Sequence, residues 1–164
     1  MCIRDRAGGW GPFREDVSIL WDRGSHDIAM CIDILDLEPE GMSAKKNEVK
    51  SSENGFGESV SARLTFPGGI YANLEFSNLL KKKKRSFAVQ YEDETLIFDD
   101  VGKVALSRNL KTGNIVPLDV KNMFPLDQLI MDFAAAIKNN KPNLTGIRLG
   151  VQVIRALDNC KKLL

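Results

Sequence analysis

Apolar residues along this chain recur first at helical spacing, then at alternate positions, then at helical spacing again. The run from Leu20 to Asp36, LWDRGSHDIAMCIDILD, predicts an amphipathic helix with Cys31 on its apolar face, stopped by Glu38-Pro39-Glu40-Gly41. Met42 to Val49 predicts a strand, followed by a polar turn over residues 51–57. The alternation is clearest next. Val60, Ala62, Leu64 and Phe66 point one way while Ser59, Ser61, Arg63 and Thr65 point the other; after Pro67-Gly68-Gly69, Ile70, Ala72, Leu74 and Phe76 oppose Tyr71, Asn73, Glu75 and Ser77. This predicts an antiparallel hairpin with one apolar and one mixed face.

Phe87, Val89 and Tyr91 predict a further strand, with Thr95 to Phe98 returning after the acidic turn Glu92-Asp93-Glu94, and shorter strands near Val104–Ser107 and Ile115–Leu118. Leu126, Leu129, Ile130, Phe133 and Ile137 then recur at helical spacing, ended by Asn139-Asn140-Lys141-Pro142. A last helix from about Ile147 carries the stripe Leu149, Val153, Ile154 and Leu157. Helices at both ends with strands between predict an α+β fold, a mostly antiparallel open-faced sheet with helices packed on one face. The other face would carry Arg63, Thr65, Tyr71 and Asn73, either solvated or used for association. Residues 7–16 have no strong periodicity and read as a linker.

At 164 residues, 43% of them hydrophobic, the chain can build a single core. Its 23 basic and 22 acidic residues give a net charge of +1, which predicts no nucleic-acid surface. Cys2, Cys31 and Cys160 form neither a disulfide framework nor a zinc pattern, so a reducing compartment, the cytoplasm, is expected. No apolar run approaches the roughly 18 residues of a membrane span.

The chain's one histidine, His26, follows Asp22 by four residues. If the turn is already helical at Asp22, both side chains share one face, an arrangement suited to proton transfer at a single substrate atom. Trp21 and Arg23 flank this pair and either contact substrate or simply pack. Asp27 is placed either to complement the helix dipole or to touch substrate. In the run Lys81-Lys82-Lys83-Lys84-Arg85, strand alternation puts Lys83 and Arg85 on one face, where both could meet a phosphate or carboxylate. Lysines that keep a solvated strand edge from pairing are the other reading of that run. Asp99-Asp100 reads as a strand-end turn rather than a metal site, because adjacent strand residues point to opposite faces.

Several of these motifs, in this order, resemble the second domain of the Gfo/Idh/MocA family of NAD(P)-dependent oxidoreductases. They are the glycines at 8, 9 and 11; Leu20-Trp21-Asp22 with His26-Asp27-Ile28; the hairpin ending at Ser77; Lys83 and Arg85; Phe98-Asp99-Asp100; Phe124-Pro125-Leu126 with Phe133 and Ile137; Lys141-Pro142; and Thr145-Gly146. The resemblance covers about residues 7–164, and its Leu20–Ile28 part is similar to a branch that oxidises sugars and sugar nucleotides. Asn78 and Lys81 depart from that branch, which often has Trp and Pro there.

The resemblance implies a parent enzyme in which a missing N-terminal Rossmann domain holds NAD or NADP. His26 would take the proton of a sugar, sugar-nucleotide or cyclitol hydroxyl, and Asp22 would position that hydroxyl or the imidazole. The open sheet face would join subunits into a homo-oligomer. No G-x-G-x-x-G follows a strand here, and the family's Glu-Lys-Pro lysine is absent, so this chain alone is expected to bind no dinucleotide and to be inactive.

Residues 1–6, Met-Cys-Ile-Arg-Asp-Arg, look like a translated sequencing adapter. They are set apart from the fold, leaving 7–164 as the C-terminal domain. The competing expectation is a non-catalytic oligomerisation or sugar-sensing module of the same fold. A free-standing binding domain complete at residue 7 is a third.

Overall fold

The alternation of residues 60–76 folds as the hairpin it predicts. In the computed structural model, which describes residues 1–53, 55–120, 125–141 and 146–164, Val60 stands opposite Phe76, Ala62 opposite Leu74 and Leu64 opposite Ala72. All six are at most 4% exposed. Burying a phenylalanine such as Phe66 or Phe76 contributes roughly 1.5–3 kcal/mol each, so this hairpin anchors the core. Its partners Arg63, Tyr71 and Asn73 lie on the opposite face, where the Arg63 guanidinium stacks 4.2 Å from the Tyr71 ring.

Eight strands form one sheet in the order β2-β3-β4-β1-β5-β6-β7-β8. They are β1 (Cys2–Trp10), β2 (Gly41–Ser52), β3 (Gly55–Phe66), β4 (Ile70–Ser77), β5 (Leu79–Gln90), β6 (Glu94–Asp99), β7 (Leu106–Leu110) and β8 (Ile115–Pro117). Every pairing is antiparallel except β1 with β4. Among the described residues, four α-helices accompany the sheet: α1 (Ile19–Asp22), α2 (Gly24–Leu35), α3 (Pro125–Lys138) and α4 (Ile147–Lys162). Ile19 and Leu20 of α1, Ile28, Cys31 and Ile32 of α2, and Val153, Ala156, Leu157 and Cys160 of α4 pack on the apolar side of the sheet. The α+β open-faced architecture is therefore the one expected.

One expectation fails at the centre of the molecule. Residues 1–6 were set apart and 7–16 read as a linker, yet Cys2–Trp10 is a strand buried between β4 and β5. Ile3 is 0% and Ala7 5% exposed, both on the helix-covered side. Residues 1–6 were set apart for their likeness to an adapter translation, and the alternation of the strand is masked by Asp5, a buried carboxyl at its middle position. Gly8 is required by packing, since a Cβ there would run into the Ser77 carbonyl oxygen and the Leu80 side chain.

Smaller differences have equally local causes. β5 begins at Leu79, so the lysine run lies inside a strand; β6 pairs only with Ser86–Gln90, leaving the Lys81–Lys84 stretch unpaired on that side. α3 forms where its periodicity places it, but Leu126, Ile130, Phe133 and Ile137 remain 54–67% exposed instead of packing on the sheet. Ile154 of α4 also faces outward, and Ala156 and Cys160 take the buried positions beside Val153 and Leu157. Asp99 ends β6 as expected, its Oδ1 accepting the N–H groups of Val101 and Gly102. Phe124, Pro142 and Thr145 of the family motifs lie outside the described residues.

Burial pushes the Cys31 thiol well above its ordinary range and that of Cys160 up to about 11, so both behave as small hydrophobes. All three cysteines are free. Among the described residues, no helix is long and apolar enough to cross a membrane.

Candidate functional site

The short helix α1 is anchored from the sheet. Ser18, at its N-cap position, makes no side-chain cap bond; instead the Ile19 N–H donates to Glu58 Oε2 of β3 at 3.0 Å. Glu58 is 9% exposed and its other oxygen lies 3.7 Å from Lys46 Nζ. The Asn78 side chain ties the same region together, its Oδ1 accepting the Glu58 N–H and its Nδ2 donating to the carbonyls of Pro12 and Phe56. Asn78 was noted in the sequence only as a departure from the branch pattern, and the structure gives it this bridging work.

From that anchor α1 runs to Asp22, whose N–H donates to the Ser18 carbonyl at 3.0 Å. The chain turns at Arg23 (φ −112°, ψ −38°) and re-enters helix at Gly24. The helix is thus interrupted between Asp22 and His26, so the shared face expected of one continuous turn is not what unites them. They nonetheless line the same cleft, of about 210 Å³, at the N-terminal end of α2 and beside β1 and β5. Both side chains are exposed to solvent there.

Asp22 Oδ1 lies 3.8 Å from an Arg14 terminal nitrogen and Oδ2 4.0 Å from Arg23 Nε. Among the described residues, no ion pair links His26 to a carboxylate. Arg23 Nε is itself buried without a hydrogen-bond partner. From the other side of the cleft come Lys83, Lys84 and Arg85 of β5, with Ala7 of β1 between. Lys83 and Arg85 were expected to share a face, and they do.

Lys84 borders both openings: it touches the edge of this cleft and also lines the concavity on the open sheet face with Ser86 and Ala88, the side to which strand alternation assigns it.

Asp27 lies at the floor of the cleft, 2% exposed. Burial is the largest influence on its carboxyl and raises its pKa above the usual range, against the opposing pull of a hydrogen bond from Asp5 and of Arg85, His26 and Arg23. Asp5 was missed because its strand was set apart. Trp21 does not join this cleft: it packs partly buried against the core and lines a separate depression with Ser18 and Lys161. Being one residue before Asp22 on α1, it is turned about 100° around the axis. Two larger concavities, each of about 670 Å³, lie elsewhere: one on the open sheet face between residues such as Arg4, Lys45, Arg63 and Glu75, the other along α4 beside Ala29.

The cleft offers an exposed imidazole, two carboxylates and four cations within one small polar space. It can bind a polar ligand and move a proton at it. Among the described residues, no cluster of three or more His, Cys, Asp or Glu side chains could hold a metal ion.

No family model and no curated protein matches the chain. Solved structures do. A Magnetospirillum magnetotacticum MS-1 protein assigned as an oxidoreductase superposes with a TM-score of 0.88 at 30% identity, over 98% of this chain and 54% of that one. The UDP-N-acetylglucosamine 3-dehydrogenase GnnA from Acidithiobacillus ferrooxidans gives 0.85 at 19% identity, over 99% and 53%. The aldose-aldose oxidoreductase from Caulobacter crescentus gives 0.81 at 14% identity, over 99% and 52%. The chain thus spans about half the length of the solved chains it matches.

Proposed function

From a chain that has the fold of the C-terminal domain of Gfo/Idh/MocA-type oxidoreductases, we infer the substrate-side half of an NAD(P)-dependent dehydrogenase acting on a hydroxyl of a sugar, sugar nucleotide or cyclitol. The observation that carries this reading is the cleft itself. His26 and Asp22 on one side, and Lys83 and Arg85 from a strand nearly sixty residues later, meet at one polar opening. At about 210 Å³ it is smaller than the roughly 300–1,000 Å³ of complete ligand sites, as expected of a site with one wall supplied elsewhere. The exposed apolar stripe of α3 supports a larger parent in the same way, because such a stripe is stable only when covered.

The described residues do not fit a dinucleotide. Gly8 and Gly9 lie inside β1, and Pro67–Gly69 joins two antiparallel strands, so neither forms the strand-to-helix glycine loop that cradles a pyrophosphate. In this reading NAD or NADP belongs to a domain beyond these residues, and the chain alone is inactive. What its own residues contribute is binding and proton transfer. His26 accepts the proton of the substrate hydroxyl. Asp22, held by arginines rather than by His26, orients that hydroxyl.

Recovering the coding sequence upstream of this segment and assaying the completed protein for NAD(P)H formation with sugars, UDP-sugars and cyclitols tests this. A strand followed by G-x-G-x-x-G, a later Glu-Lys-Pro, and substrate-dependent reduction are expected. A completed protein without those motifs and inert across the panel would leave the second reading, an assembly or sugar-sensing module, which the absence of an Asp22–His26 bond favours.

A further inference from the structure

We propose that the His26 cleft is built to hold an anionic group, a carboxylate or phosphate carried by the substrate within a few bonds of the hydroxyl presented to His26. The proposal rests on the substrate-site reading above and narrows its substrate class.

Arg23, Lys83 and Arg85 line the cleft and Lys84 borders it while also lining the open sheet face, whereas its carboxylates are Asp22 and Asp27 alone. Asp22 is already engaged by Arg14 and Arg23. Asp27 is sealed into the floor at 2% exposure, where it is taken up by its hydrogen bond from buried Asp5. Among the described residues, Lys83, Lys84 and Arg85 have no ion-pair partner. The whole chain carries only +1, so this excess of positive charge is local to the cleft.

A solvated strand end accounts for Lys81 and Lys82, which lie beyond the reach of β6 and do not line the cleft. It does not account for half-buried Arg85 opposite Ala7, nor for an Arg23 Nε held out of water with the Asp22 carboxylate 4.0 Å away, beyond hydrogen-bond reach. Residues two apart on a strand are about 7 Å from each other, so Lys83 and Arg85 repel until an anion lies between them. Guanidinium forks match the paired oxygens of carboxylates and phosphates. The small volume places that anion close to His26 rather than at the end of a long ligand.

The single histidine makes its imidazole an NMR reporter of the site. The 164-residue chain is titrated with glucuronate, glucose 1-phosphate and neutral glucose. Saturable shifts of the His26 ring signals are expected with an anionic sugar and not with glucose at the same concentration. Whichever anion saturates at lower concentration identifies the group as carboxylate or phosphate. Added sodium chloride should weaken binding. Lys83→Ala with Arg85→Gln should weaken it roughly ten- to hundredfold, and Lys82→Ala should leave it unchanged. If the double variant melts early, Lys83→Ala alone, at an exposed side chain, makes the same comparison.

Glucose shifting the ring as strongly as the anions, no saturable shift with either anion, or unaltered affinity in a folded variant would overturn the proposal. Those results leave the dehydrogenase reading to the completed-protein assay. An inert completed protein whose cleft still binds anions would overturn that reading and keep this one.

Discussion

Asp5 of β1 and Asp27 of α2 meet across the sheet–helix interface at 6% and 2% exposure, and each keeps its Oδ2 without a hydrogen-bond partner. Burial, then the charge of Asp27 and the hydrogen bond to it, raise the Asp5 carboxyl from 3.8 to about 8. Asp5 is thus the protonated member that donates to Asp27.

Stability should therefore fall with rising pH. The native state holds a proton that the unfolded chain releases near 3.8, so the contribution of Asp5 is complete below about pH 4, is lost as pH rises to about 8, and is flat above. Asp27, also raised, acts in the same direction. Asp5→Asn keeps a donor and removes the titration; it should stabilise the chain by roughly 1–3 kcal/mol at pH 8 and flatten the profile. Thermal melts from pH 4 to 9 measure both effects, and a wild type that gains stability with pH over this range would contradict the pairing.

Glu58 reaches the cleft only through α1. Glu58→Ala removes the acceptor of the buried Ile19 N–H and the partner of Lys46, at a cost of roughly 1–3 kcal/mol. Urea unfolding gives the loss, and faster amide exchange in residues 19–22 would locate it. Glu58→Gln, which retains an acceptor, should lose less; equal losses would show that charge rather than the cap matters.

In the completed enzyme His26→Ala should lower kcat by about 10²–10⁴, with the KM for NAD(P) nearly unchanged. Steady-state kinetics with each substrate varied separate the two parameters. Unchanged turnover would remove His26 from the chemistry and leave it a surface residue of α2.

Much of the fold was legible because the sheet has one wet face. Period-2 alternation in residues 59–77 gave strand, face and partner directly, since a one-residue slip would turn Phe66 and Phe76 to solvent. Periodicity likewise placed α2, α3 and α4. Of the site, His26, Asp22, Arg23, Asp27, Lys83 and Arg85 were legible from residue type and order, and all six line one cleft.

Tertiary structure decided what local pattern does not encode. Whether Cys2–Trp10 is linker or central strand depends on β4 and β5 being there to accept its hydrogen bonds, and a buried Asp between Ile3 and Ala7 masks the alternation that would have shown it. Trp21 leaves the cleft because of the turn of one short helix, whose placement is set by packing between distant segments, and Lys84 borders both the cleft and the open sheet face. The sequence by itself determined which faces are apolar and which side chains carry chemistry; only the three-dimensional chain could decide which of them share one space, because that distance is fixed by contacts between residues far apart in order.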